Sequence, residues 1–302
     1  MKLNILILFI LGAFIGCQKD VDEFQPYVQT AVDFPEILKP QPIYRQFDAG
    51  IDSEIDLGAG EVLFFPAHSM VNNRGELLTG KIDLEITKIA KKADLIFSYL
   101  NSNIASTQLN NYHIINIKAF ANKQHALIKP GHFVTLKSPM DNAVTAGSVW
   151  TGVVAPPNIF EWNAVGINNI SATNWDVGGT DYSGISYKTK KLGWISSGQS
   201  SSGAVHSLCV NLGDGLKPAH TKVYFIFDDQ FSVAELKEFS DTKQFCTDIP
   251  NNTKGHLIII NEEEKGNFRF QDKAITISGD LTIQAQPRKT VLENIVTTLN
   301  SL

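Results

Sequence analysis

Lys81-Ile82-Asp83-Leu84-Glu85-Ile86-Thr87 alternates without a break. Ile82, Leu84 and Ile86 fall on one side of an extended chain, and Lys81, Asp83, Glu85 and Thr87 on the other. A period of two with one apolar side predicts a half-buried antiparallel strand whose charged side is solvated. Just upstream, Asn72-Asn73-Arg74-Gly75-Glu76 is rich in residues that tolerate positive φ and reads as a turn. Before it, Glu61-Val62-Leu63-Phe64-Phe65 reads as a strand stopped by Pro66. Downstream, 112–121 and 132–137 supply two more strands, with a turn at Lys129-Pro130-Gly131. A short helix is expected within 90–105.

The same composition returns late in the chain. Segments 205–212, 222–227, 256–260, 267–271, 274–278 and 281–286 are rich in β-branched and aromatic residues. Residues 261–266 form a hairpin turn. Ser232-Val233-Ala234-Glu235 has capping-box spacing and predicts a helix over 232–239. Pro287 ends the last strand, and Val291, Leu292, Ile295, Val296 and Leu299 then trace a helical stripe. The expectation is a mostly β protein: two antiparallel β-sandwich-like domains, 46–140 and 191–287, with a short C-terminal helix, 288–302. Between them, 141–190 holds Trp150, Trp162 and Trp175 among many Gly, Asn, Ser and Thr, and reads as a loop-rich junction. The three indoles either stack on sugar rings as a ligand platform or plug a core or seam.

The N-terminus is of another kind. Lys2 is followed by an apolar run to Ile15 broken at Asn4 and Gly12, which is the layout of a secretory signal peptide over 1–16. The run is short of the roughly 20 residues a spanning helix needs. Gly16-Cys17 at its end resembles a bacterial lipobox, which implies cleavage before Cys17 and acylation of that residue. A plain signal peptide and a signal anchor are the other readings. Residues 17–45, with Pro26, Pro35, Pro40 and Pro42, read as a tether that becomes ordered near its end. Its start, Gln18-Lys19-Asp20-Val21-Asp22-Glu23, resembles the export signal of surface lipoproteins of the Bacteroidota. That implies an outer-membrane, lipid-anchored, surface-exposed protein; retention facing the periplasm is the alternative.

Composition sets limits on partners. Apolar residues are 43% and charged residues 19% of the chain, which is that of a folded globular protein. The net charge is −5 and becomes more negative on loss of Lys2, which argues against a nucleic-acid partner. Of three cysteines, Cys209 and Cys246 remain beside Cys17. In an oxidising compartment they either pair, closing a loop of about 37 residues, or stay as two buried thiols.

Two strings carry a wider resemblance. The first runs from Gly58 to Met70 (GAGEVLFFPAHSM) and on through Asn73-Arg74-Gly75-Glu76-Leu77-Leu78-Thr79-Gly80-Lys81-Ile82-Asp83-Leu84. It resembles a largely uncharacterised family of Bacteroidota lipoproteins whose N-terminal β-sandwich is similar to the module shared by ankyrins and netrin receptors. The second is Lys191-Leu192-Gly193-Trp194-Ile195 with Val223-Tyr224-Phe225-Ile226-Phe227-Asp228-Asp229, which resembles the opening of that family's second β module. Ser196-Ser197-Gly198 stands where that group has Cys-Asp-Arg. The self-cleaving His-Phe-Ser of some sandwich relatives has its nearest counterpart in His132-Phe133-Val134, which lacks the nucleophile, so no self-cleavage is expected.

Catalytic patterns are thin. The seven histidines are scattered, and neither His-Glu-x-x-His nor Cys-x-x-Cys occurs, so no metal or other cofactor is implied. Gly198-Gln199-Ser200-Ser201-Ser202-Gly203 fails as a nucleophile elbow because its second glycine is one residue late. The functional expectation is a non-enzymatic lipoprotein acting as a protein-interaction module, held to the membrane by its N-terminal lipid and meeting an outer-membrane protein. The alternative is an accessory glycan-binding lipoprotein that uses Trp150, Trp162 or Trp175.

Overall fold

The computed structural model describes residues 32, 34–104, 107–141, 146–155, 159–165, 170–239 and 242–302. Lys81–Ile89 is a strand of the first of two sheets that form a sandwich. Ile82, Leu84 and Ile86 are buried in the sandwich core with Leu63, Phe65, Val134, Leu136 and Ile185. Each such side chain contributes on the order of 1.5–3 kcal/mol on burial. On the opposite side Glu85 pairs with Lys118 at 2.6 Å, in contact with solvent.

The first sheet runs in the order Ile43–Asp48, Lys81–Ile89, Thr107–Ala121, Gly193–Ser200, Ser148–Ala155, Ile159–Ala164. The second runs Ser171–Val177, Thr180–Thr189, Val134–Pro139, Glu61–Phe65, Ser53–Gly58. The stretch expected as a loop-rich junction over 141–190 is therefore largely strand, and it supplies both sheets. Its glycines and small polar residues serve close packing. A Cβ on Gly152 would lie 2.4 Å from the Phe160 ring, and one on Gly184 would lie 2.2 Å from Ser138 O. Glycine in a strand where another group approaches closely looks like loop composition when read along the chain alone. Gly193–Ser200, expected to open the second domain, instead pairs with Thr107–Ala121 and Ser148–Ala155 inside the first sheet.

A third sheet holds the C-terminal part: Leu281–Gln284, Val205–Asn211, Gln244–Pro250, Val233–Phe239, Thr221–Phe227, Thr253–Glu264, Asn267–Ile277, Arg288–Thr290. It curls around Val223, Phe225, Phe227, Leu257, Ile259, Leu208 and Phe245. The alternate residues Tyr224, Ile226, Ile258 and Ile260 face the other way, toward the sandwich. These strands are buried on both faces, which is why they read as unbroken apolar runs. Val233–Phe239 corrects the helix expected over 232–239. It pairs with Thr221–Phe227, and the Glu235 carboxylate goes to Lys222 Nζ at 2.5 Å rather than back to a helix start. A four-residue capping pattern cannot outweigh a ladder on each side.

Two helices lie at the seam between the sandwich and the third sheet. Lys92–Phe97 (α1) falls within the window expected for a short helix, and Asp94 Oδ2 accepts from the Ala90 and Lys91 amides at its start. Leu292–Ser301 (α2) is the C-terminal helix; Arg288–Thr290, expected as its first turn, is instead an edge strand. Leu95, Ile96, Phe97, Ile295 and Leu299 form one cluster with Tyr224, Ile258, Phe160 and Trp162. Val32 and Phe34 are buried in the same cluster, so the segment read as tether to residue 45 already packs at Val32 and is a strand from Ile43.

Candidate functional site

Cys17, Gln18, Lys19, Asp20, Asp22 and Glu23 lie outside the described residues. Cys209 and Cys246 stand directly opposite each other on Val205–Asn211 and Gln244–Pro250 and are joined by a disulfide.

The three tryptophans do not form a common platform. Trp175 belongs to the second sheet, stacks on Tyr182 and donates its indole N–H to Gly60 O at 2.8 Å. Trp162 is buried at the seam and donates to Asn101 O at 2.7 Å, with Phe160 packed edge-on against it. Both rings are spent on packing and on backbone bonds, which removes the basis for a shared sugar-stacking surface of Trp150, Trp162 and Trp175. Trp150 differs: it is half-buried, and its Nε1 is shielded from solvent with no acceptor among the described residues.

A polar cluster that no spacing along the chain announces lies inside the sandwich. Glu61 Oε2 is 2.9 Å from Lys88 Nζ, and Glu61 Oε1 is 3.4 Å from His113 Nε2. His113 Nδ1 is 2.5 Å from the Tyr187 hydroxyl. Lys88 and His113 come from the first sheet, Glu61 and Tyr187 from the second. Burial alone would raise the Glu61 carboxyl, but the hydrogen bond and charge of His113, with Lys88 behind them, outweigh it and bring the pKa down from 4.5 to about 2. Burial, then the Glu61 charge, pushes the Tyr187 hydroxyl far above its ordinary range, so it stays protonated. His113 and Tyr187 are both buried, while Glu61 and Lys88 are half-buried. The cluster clamps the sheets together. Among the described residues, no three His, Cys, Asp or Glu side chains come together to hold a metal ion.

The strongest candidate for recognition is at the seam. Ile159–Ala164 is the last strand of the first sheet and, among the described residues, pairs only with Ser148–Ala155. Beside its open edge runs a cleft of about 390 Å³, lined by Trp150, Phe160, Trp162, Ile104 and Lys237. The far wall is held by hydrogen bonds across the seam: Asn103 Nδ2 donates to Glu235 O at 3.0 Å, and the Glu235 amide donates to Asn103 Oδ1 at 2.9 Å. Ser102 N donates to Val233 O at 2.7 Å nearby. Val153 and Val154, on the paired strand, are 41% and 65% exposed. The sequence offered Trp150 and Trp162 as candidates but no sign that one was free and the other engaged, since that depends on an acceptor from residue 101.

Comparison with known protein families finds no family that the chain matches, and comparison with curated proteins finds no match.

Proposed function

We propose that this chain is a non-enzymatic, lipid-anchored lipoprotein of the outer membrane that faces the cell surface and acts as a protein-interaction module. The observation that carries the interaction reading is the edge Ile159–Ala164, which among the described residues is paired on one side only, with the exposed Val153 and Val154 on the neighbouring strand. An open edge and adjoining exposed aliphatic side chains are what a protein partner covers. The Cys209–Cys246 disulfide supports an oxidising compartment outside the cytoplasm. Among the described residues no helix is long and apolar enough to cross a membrane, and anchorage rests on acylation of Cys17. Val32 packs in the seam about 15 residues after Cys17, and a fully extended tether of that length reaches about 50 Å, so the body stays near the bilayer.

Labelling cells with radioactive palmitate tests the anchor. The wild-type chain takes up label and fractionates with membranes, while Cys17→Ala does neither; label on the alanine variant refutes the anchor. Protease added to intact cells digests a surface protein, and full protection returns it to the periplasmic face. Cross-linking on intact cells, with purification through a C-terminal tag, should yield one outer-membrane protein in stoichiometric amount. Polysaccharide alone would favour the glycan-binding alternative.

A further inference from the structure

Trp150, Trp162 and Trp175 are shielded or bonded, but the fourth tryptophan, Trp194, is placed differently. It is half-buried, and its indole N–H has no acceptor among the described residues yet is open to solvent. Trp194 lines a cleft of about 530 Å³ on the outer side of the first sheet. The register builds the floor of this cleft. Trp194 and Thr87 stand on either side of Asn116, both directly opposite it, and Glu85 stands opposite Lys118. The period of two puts these side chains together on the side that faces away from the sandwich core. The wall is the chain just ahead of the first strand, with Pro40 and Pro42 in it. That wall is held in place. Gln41 Nε2 donates to Lys39 O at 2.9 Å, and the Tyr99 hydroxyl accepts from the Phe34 amide at 2.9 Å and donates to Val32 O at 3.0 Å.

We infer that this cleft binds a neutral saccharide, with a sugar ring against Trp194 and sugar hydroxyls bonded to Glu85 and Lys118. Charge is the first reason. Glu36 pairs with Lys39, and Glu85 with Lys118 at 2.6 Å, so the acids and bases that line the cleft cancel and neither an anion nor a cation is favoured. The second is hydrogen bonding. The Glu85–Lys118 pair sets an acceptor and a donor side by side, with side chains 27% and 44% exposed and so within reach. Neighbouring hydroxyls of a sugar offer a donor and an acceptor side by side in return. The third is the indole, whose negative π face attracts the positively polarised C–H groups of a sugar ring. The volume falls in the range of about 300–1,000 Å³ usual for small-ligand sites. A proline-rich peptide also suits a tryptophan, but proline has no N–H and would leave Glu85 without a donor. The inference goes beyond the interaction reading, since this cleft shares no lining residue with the one beside Ile159–Ala164.

The test uses the full mature chain in detergent, with its indole nitrogens isotopically labelled, and an array of neutral hexose and N-acetylhexosamine oligosaccharides. Trp194→Phe identifies the Trp194 indole signal in the NMR spectrum by its loss. A bound saccharide should move that signal and leave those of Trp150, Trp162 and Trp175 nearly in place. Trp194→Ala should weaken binding at least about tenfold. Glu85→Ala alters only a surface pair, so it should keep the wild-type Tm, and it should weaken binding by roughly tenfold; it serves as the second variant should Trp194→Ala fail to fold. No saccharide bound overturns the proposal. So does binding that leaves the Trp194 signal in place, or binding confined to sulfated or uronic-acid oligosaccharides run as controls. A proline-rich decapeptide that moves the signal when no saccharide does overturns the sugar assignment. Each of these failures leaves the interaction reading standing, because that reading fails separately, on cross-linking at the cell surface.

Discussion

Glu61 holds its charge between two sheets only because Lys88 and His113 face it. Its pKa in the folded protein lies below that of the unfolded chain, so it contributes stability that is fully present above about pH 4.5 and is lost as pH falls toward about 2. The shift corresponds to about 3 kcal/mol at most. The expected outcome is that Glu61→Gln is less stable than wild type at neutral pH, and that the difference shrinks across that acid window. Thermal melts of both proteins from pH 2 to 7 check it. A gap that stayed constant with pH would assign the loss to shape and not to charge. Phe34→Ala acts at the same scale by a different route. Phe34 is 1% exposed and meets Phe97 edge-on at 5.2 Å, and its truncation should cost about 3–5 kcal/mol by denaturant unfolding.

At the scale of the element, pairing across the chain decides what local preference leaves open. Val205–Asn211 and Gln244–Pro250 are separate in sequence but adjacent in space, with Cys209 opposite Cys246. Tying a loop of 37 residues should stabilise by about 3–4 kcal/mol. Replacing both cysteines by serine should lower the denaturant midpoint accordingly, with the strands still formed by far-ultraviolet circular dichroism. Gly255 is a second such case. A Cβ there would lie 2.2 Å from Ile226 O and 2.6 Å from the Phe225 ring. Gly255→Ala should force Thr221–Phe227 and Thr253–Glu264 apart and lower Tm by several degrees, whereas Gly279→Ala, which meets nothing within 4 Å, should not.

For the whole molecule, the sandwich and the third sheet share one apolar cluster through α1, α2 and Phe34 and are bonded across the seam by Ser102, Asn103 and Asn111. They should unfold together, as a single transition reported alike by tryptophan fluorescence and circular dichroism. Two separated transitions would show that the seam does not couple them. The sequence by itself determined the β class, the strand at 81–87, the two helical segments and the apolar runs of the third sheet. These are local signals: a period of two, a helical stripe, an unbroken apolar run. Only the tertiary structure decided that 141–190 is strand, that Gly193–Ser200 belongs to the first sheet, that 232–239 is extended, that Trp162 is engaged while Trp150 is not, and that Glu61 meets His113. Each of these depends on a partner elsewhere in the chain, from the hairpin neighbours of 232–239 to side chains tens of residues away at Glu61 and Trp162, and a chain read in order carries no record of which backbone or side chain will supply a hydrogen bond or occupy the space above a glycine.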